Sequence, residues 1–258
     1  MLLMNLNGEI MKITHILVAL TVFVSFSVNA EGFRGRIVKT EGEVSVISAS
    51  GEKFKPEKLN NLIKASETIT TDKKSKAVIQ FSDGSMAVLN EKSSLLVEKS
   101  EWLSQIGGKI YFAFKKIFGK KPRKIKTSFV TLGIRGTSFI VDANEGSETV
   151  ALQEGSLNVE SPGDEFELHQ KKPKDDDFSS FMKQQQQDAA KVKDEFDEYK
   201  KELKEEFVSY VKEFTMQPDK MISFNGNRVD EDEISKQLRD DFSDMESFAG
   251  DFVDEYKY

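Results

Sequence analysis

The sequence predicts a mainly β fold, either a sandwich, a jelly roll or a solenoid, followed by an α-helical hairpin or coiled-coil-like tail. Three observations carry that expectation. Between Arg36 and Val159 short apolar segments of period 2 recur at a spacing of about 8–12 residues, as in all-β domains and unlike βαβ units. After Pro162 and Pro173 the apolar residues fall instead at steps of 3 and 4, which is the helical period. The charge balance shifts along with the period. Residues 1–101 carry a net +1, residues 102–141 a net +9 with no acidic side chain, and residues 142–258 a net −17. Such asymmetry marks parts with separate tasks or parts that attract each other.

Composition narrows the chemistry. The 258 residues contain no Cys, so disulfides, thiolate metal sites, cysteine nucleophiles and lipid attachment through an N-terminal Cys are excluded. A charged fraction of 31% is too high for a multi-span membrane protein. At the N-terminus, Lys12 precedes an apolar run from Ile13 to Val28 that ends in Val28-Asn29-Ala30, with small residues at the −3 and −1 positions of a signal-peptidase site. As a helix these 16 residues reach about 24 Å, short of the ~30 Å hydrocarbon core. Residues 1–30 are therefore expected to be a cleaved signal peptide that places the rest in the periplasm or outside the cell.

Residues 31–162 hold the strands. Arg36–Lys39 and Glu43–Ile47 flank a Glu41-Gly42 turn, and Lys76–Phe81 and Ser85–Leu89 flank Ser82-Asp83-Gly84, a strong hairpin signal. Ser94–Glu98, Lys109–Phe114, Ser128–Leu132, Ser138–Val141, Thr149–Leu152 and Ser156–Val159 have the same pattern. In Arg135-Gly136-Thr137, Gly136 is expected to supply a positive φ or a close approach at a strand start. Arg135 brings five donors, for turn carbonyls, for a carboxylate or for a ligand. Gly133-Ile134-Arg135-Gly136 has the spacing of a nucleic-acid-binding GXXG loop, but that loop needs flanking helices and its neighbours here read as strands, so no nucleic-acid partner is expected.

These residues resemble the FecR domain family of periplasmic sensor modules. The resemblance rests on Gly35–Ile47, on Ile69-Thr70-Thr71 through Asp83-Gly84-Ser85, and on Gly107–Phe112. Above all it rests on Thr131–Val141, with Arg135, Gly136, Thr137 and Phe139, followed by Gln153-Glu154-Gly155-Ser156-Leu157. It implies a β-solenoid or jelly-roll-like module in the cell envelope in which Asp83, Gly84, Ser85, Arg135, Gly136, Thr137 and Phe139 are mainly structural. Two departures stand out. Family members show a Gly where this chain has Ala65-Ser66-Glu67, so that turn must form without it. Members resembling iron-citrate regulators also carry a cytoplasmic anti-sigma segment and a transmembrane helix ahead of the domain. Neither is expected here, and sigma-factor control is not carried over.

The stretch Lys109–Lys126 holds eight cations with Tyr111, Phe112, Phe114 and Phe118 interleaved. Lys115, Lys116, Lys120, Lys121, Arg123 and Lys124 are its candidate anion-binding residues. The stretch is read as a solvated loop, as a surface for the chain's own acidic tail, or as a grip on anionic lipid or polymer.

Residues 163–176 read as a linker and residues 177–258 as an acidic helical region. Phe178, Met182, Ala189, Val192, Phe196, Tyr199, Leu203, Phe207, Tyr210 and Phe214 form one stripe. A turn at Asn225-Gly226-Asn227 leads to a second, Ile234, Leu238, Phe242, Met245, Phe248, Phe252 and Tyr256, with Asp230 or Asp232 as its cap. These stripes are expected to pack on each other or to present an aromatic face to another envelope protein or to a second copy. No P-loop, dinucleotide fingerprint, H-E-x-x-H or EF-hand loop occurs, and His169 reads as an exposed linker residue. No catalytic residue, metal site or cofactor is expected. The function expected is that of a non-enzymatic envelope interaction or sensing module.

Overall fold

In the computed structural model the described residues are 35–56, 60–99, 102–115, 123–144, 146–170, 207–250 and 252. The expected signal peptide, Lys116, Lys120, Lys121 and the helical stripe from Phe178 to Leu203 lie outside them.

The described chain is mainly β, with one C-terminal helix and a mixed sheet of nineteen strands. Two ladders make up the sheet. The first runs β4(Asn61–Ile63), β1(Gly35–Glu41), β6(Lys76–Phe81), β7(Met86–Leu89), β9(Trp102–Ala113), β12(Ser138–Asn144), β13(Ser147–Glu154), β18(Lys220–Asn225), β19(Arg228–Glu233), β15(Phe166–Gln170), β16(Phe207–Val211). The second runs β3(Lys53–Phe54), β2(Val44–Ile47), β5(Thr68–Thr71), β8(Ser94–Val97), β9, β10(Arg123–Lys126), β11(Thr131–Ile134), β14(Leu157–Glu160), β17(Glu213–Met216).

Strand β9 belongs to both ladders. Its first half pairs with β8 and β10 and its second half with β7 and β12. The crossing falls at Gly107-Gly108, where Gly108 has φ +82° and a Cβ would stand 2.6 Å from the Lys92 carbonyl oxygen. Only glycine lets the chain turn so close to its neighbour. Period-2 alternation sends one face of each ladder into a shared core that includes Ile37, Ile69, Leu95, Phe112, Leu132, Phe139, Leu152 and Val159.

The outer face of the first ladder is apolar too, with Val78, Met86, Val88, Tyr111 and Ile140, and it is covered by α1(Lys236–Ala249). Leu238, Phe242, Met245 and Ala249 are the buried stripe of α1. Leu238, Phe242 and Met245 each bring about 1.5–3 kcal/mol of transfer free energy. The Phe242 ring meets Tyr111 edge-on at 6.0 Å. Around this contact Lys109 Nζ lies 2.5 Å from Asp241 and 3.2 Å from Asp142. Burial pulls the Lys109 ammonium down, but the two carboxylates outweigh it and its pKa is raised. Lys39 donates to the Phe248 carbonyl at 2.8 Å and also lies over the Phe248 ring. The attraction between basic and acidic parts thus acts inside the molecule, through Lys109 on β9 and Asp241 on the helix.

The expected tail differs in its first described part. Residues 207–216 form β16 and β17, and residues 220–233 form the β18–β19 hairpin with Asn225-Gly226-Asn227 at its tip. Phe207, Tyr210 and Phe214 keep a 3–4 spacing, but they sit in Phe-Val-Ser-Tyr-Val and Phe-Thr-Met, runs of aromatic and β-branched residues that fit a sheet edge. Pairing with β15 and β14 outweighs the helical period. Asp230 and Asp232 lie within β19, and Ser235 caps α1, its hydroxyl accepting from the Leu238 N–H at 3.2 Å. Within residues 163–176, Phe166–Gln170 is strand β15 and not linker. His169 on it is buried, with Nε2 2.9 Å from Glu167 Oε1. Among the described residues no helix is long and apolar enough to cross a membrane.

Candidate functional site

Two tight turns far apart in sequence lie at the same end of neighbouring strands, on either side of the end of β9. The first joins β6 to β7. Phe81 N–H donates to the Ser85 carbonyl at 2.7 Å, Gly84 takes φ +85°, and the Asp83 carboxylate accepts from the Ser85 N–H at 3.0 Å and from its hydroxyl at 3.1 Å. The aspartate thereby rigidifies its own turn, as Asx side chains do. The second turn, Arg135-Gly136-Thr137, joins β11 to β12, with Gly136 at φ +66°. It is tied to the end of β9 by two backbone bonds, Phe114 N–H to the Thr137 carbonyl at 2.9 Å and Thr137 N–H to the Phe114 carbonyl at 3.1 Å. The flanking segments Thr131–Ile134 and Ser138–Asn144 are strands, so the GXXG spacing here spans a β-corner.

Aromatic stacking connects the turns. Phe139, fully buried, lies 5.2 Å from Phe112 and 6.3 Å from Phe114, and Phe114 lies 6.4 Å from Phe81. Arg123, at the start of β10, closes the cluster. Its Nε donates to Asp83 Oδ2 at 2.8 Å, and its guanidinium lies 5.9 Å from the centre of the Phe81 ring. The Asp83 side chain is 7% exposed and that of Arg123 is 22%. The Lys115 side chain runs 3.9 Å from where a Gly84 Cβ would be.

The structure therefore brings together Asp83, Gly84, Ser85, Gly136, Thr137, Phe139, Lys115 and Arg123. It separates Lys124, which binds Glu160 at 3.2 Å on the second ladder. Two of the six cations singled out for an external anion thus face carboxylates of the chain itself. Arg135 behaves differently. It is exposed at the tip of the corner, and no hydrogen bond or ion pair engages it among the described residues. Thr137 beside it is 2% exposed, and its Oγ1 has no hydrogen-bond partner among the described residues. Among the described residues no group of three or more His, Asp or Glu is placed to hold a metal ion.

Sequence reasoning missed two further polar groups. Glu148 on β13 is 1% exposed and faces the core beside Val150 and Leu152. It accepts from the Thr127 hydroxyl at 2.7 Å with one oxygen, while the other lacks a partner among the described residues. Gln105 on β9 is 2% exposed and donates to the Gly108 and Val141 carbonyls. Period-2 alternation in Ser-Glu-Thr-Val-Ala-Leu already placed Glu148 on the inner face.

The Asp83–Arg123 pair is expected to stabilise the cluster. Arg123→Ala should cost about 1–3 kcal/mol, since it strips a nearly buried carboxylate of its charged partner. In denaturant titrations of the wild type, Arg123→Ala, Asp83→Ala and the double variant, the two single losses should exceed the double loss by at least about 0.5 kcal/mol. Strict additivity would show that the pair contributes nothing.

Residues 67–158 match the family described as FecR protein. Two crystal structures of a proposed anti-sigma factor from Parabacteroides distasonis ATCC 8503 are similar at 14% identity and TM-score 0.43, covering 66% of this chain. This chain spans only 61% of their length. A solved cell surface anchoring domain is similar at 30% identity and TM-score 0.25, over 26% of this chain and 87% of its own. No curated protein matches. The matched segment holds both turns, the Phe81–Phe139 stack and Arg123, so residues 67–158 of this chain form a FecR domain.

Proposed function

We propose that this protein is a non-enzymatic, exported FecR-domain module that senses or regulates through protein–protein contacts in the cell envelope. The observation that carries the reading is the corner at residues 135–137. The family residues around it are engaged with one another, whereas Arg135 stands exposed and without a partner among the described residues. A rigid corner presenting one guanidinium suits bidentate recognition of a carboxylate on a partner protein. The scaffold behind it reads as a solenoid-like winding in which the chain passes between two ladders at short corners. The leader-like residues 1–30 support export to the periplasm or beyond. The other reading, a grip of the 115–126 stretch on anionic lipid or polymer, is weakened by the pairing of Arg123 with Asp83 and of Lys124 with Glu160.

A photoreactive side chain at exposed Ser156, next to Gly155 beneath this corner, tests the proposal in cells. It should yield adducts with one envelope protein, and adding Arg135→Glu should lower their yield about tenfold, the effect of losing roughly 1.4 kcal/mol of binding. The same probe at exposed Asn144, on the β12–β13 hairpin tip, should give none. Absence of adducts at Ser156, or adducts unchanged by Arg135→Glu, would reject it.

A further inference from the structure

Among the described residues both ladders are open at both ends. In the first, β4 pairs only with β1 and β16 only with β15 among the described residues; in the second, β3 pairs only with β2 and β17 only with β14. At each end the two terminal strands come from one stretch of chain, 53–63 at one end and 207–216 at the other. Open strand edges template further pairing, and proteins usually blunt them with charge or proline. Strand β16, Phe-Val-Ser-Tyr-Val, carries neither.

Four of the five large hydrophobic side chains exposed among the described residues lie at these same ends. They are Phe54 on β3, Leu62 on β4, and Val208 and Tyr210 on β16; the fifth is Ile106. Tyr210 is 68% exposed and Leu62 58%. The faces correspond. Leu62 is opposite Arg36 and Tyr210 opposite Glu167, both on the outer face of the first ladder. On the inner side, Phe54 is opposite core Val46 and Phe214 opposite core Val159.

Strand sense corresponds as well. From β4 to β16 every pairing is antiparallel except β15–β19, and from β3 to β17 every pairing is antiparallel except β9–β10. Counting the reversals along each ladder, β16 runs opposite to β4, and β17 opposite to β3. A second copy set end to end would therefore meet both ladders in the antiparallel sense, with Leu62 against Val208 and Tyr210 and with Phe54 against Phe214.

We propose that the protein associates head to tail with further copies of itself, β16 and β17 of one copy extending the ladders at β4 and β3 of the next. Such a contact is heterologous, joining two different surfaces and leaving one of each free on every pair. The residues involved are separate from the Arg135 corner, so this proposal and the functional reading stand or fall independently.

The test uses the full chain purified from an export-competent host, followed by sedimentation over a range of concentrations. The wild type should gain mass with concentration. A variant closed at one end, Val208→Lys with Tyr210→Lys, and a variant closed at the other, Phe54→Lys with Leu62→Lys, should each stay monomeric with thermal unfolding near that of the wild type. Mixed in equal amounts they should form a dimer of one copy each, because each keeps one intact end. A wild type that stays monomeric, variants that associate like the wild type, or a mixture without the mixed dimer would overturn the proposal. The mixing arm also separates the head-to-tail contact from a symmetric one, which it would not restore.

Discussion

Gly155→Ala should lower the stability of the fold by about 2–5 kcal/mol, the sum of a left-handed backbone cost and an overpacking cost. Gly155 has φ +90° where β13 turns toward β14. A Cβ there would penetrate the Gly136 carbonyl oxygen and stand 2.7 Å from Thr137 Cγ2 and 2.9 Å from Thr137 Cα. Two of these neighbours are backbone, fixed by the Phe114–Thr137 bonds, and cannot move aside without breaking the corner. Gly146→Ala supplies the control. Its φ is +78°, but nothing lies within 4 Å of its Cβ position, so it should cost only the backbone part, about 1–2 kcal/mol. Denaturant titration of both variants separates the effects. If Gly155→Ala were no worse than Gly146→Ala, close packing of the two corners would not be what demands glycine.

Much of the architecture was legible because strand patterning is local. Lys76–Phe81 is β6 as read from its alternation, and Asp83-Gly84 is the hairpin turn that its residue types announce. At Ala65-Ser66-Glu67, where the family has glycine, the turn forms with Ser66 itself at φ +67°, its N–H donating to the Val97 carbonyl at 2.6 Å. Ser66 thus takes up backbone strain that glycine would avoid. Residues 207–216 misled for a physical reason. Aromatic residues three and four apart satisfy a helix, but Val208, Tyr210, Val211 and Thr215 also suit a sheet, and whether a free sheet edge awaits them is not a local property. The α1 stripe was legible, with Leu238, Phe242 and Met245 on one face, but its partner was not. An aromatic stripe asks only for an apolar surface, and the outer face of β6, β7, β9 and β12 supplies it.

The candidate site was legible in its parts and hidden in its assembly. Asp83, Arg123 and Arg135 belong to separate hairpins, and their meeting depends on the order of strands across the sheet. Arg123 was grouped with Lys124 because both lie in one basic run. Strand alternation then sent Arg123 toward Asp83 and Lys124 toward Glu160 on β14. A charge run read along the chain takes no account of the face to which each residue points, and in a strand that face changes at every step.

Glu148→Gln should remove a pH dependence of stability that the wild type shows between about pH 4.5 and 7. Burial pushes the Glu148 carboxyl up from the ordinary value of 4.5 to about 7, although the Thr127 hydroxyl and the Phe129 N–H hold it down. Across the ladders it faces Ala143 on β12 and Phe224 on β18, neither of which can offset a charge. In that pH interval the folded protein keeps a proton that the unfolded chain has released. A carboxyl whose folded pKa lies above its unfolded one stabilises fully below the unfolded value, and this contribution is lost as pH rises through the folded value. At about 1.4 kcal/mol per unit, the loss across the interval is about 3 kcal/mol. Glutamine is close in shape, keeps an acceptor for Thr127 and carries no charge. Relative to the wild type, Glu148→Gln should therefore gain stability from about pH 4.5 to 7 and level off above that. Taking the difference between the two proteins cancels titration elsewhere in the chain. Unfolding free energies that stay parallel across that range would mean that Glu148 is ionised in the folded state, with its charge met by solvent that reaches the β10–β11 turn.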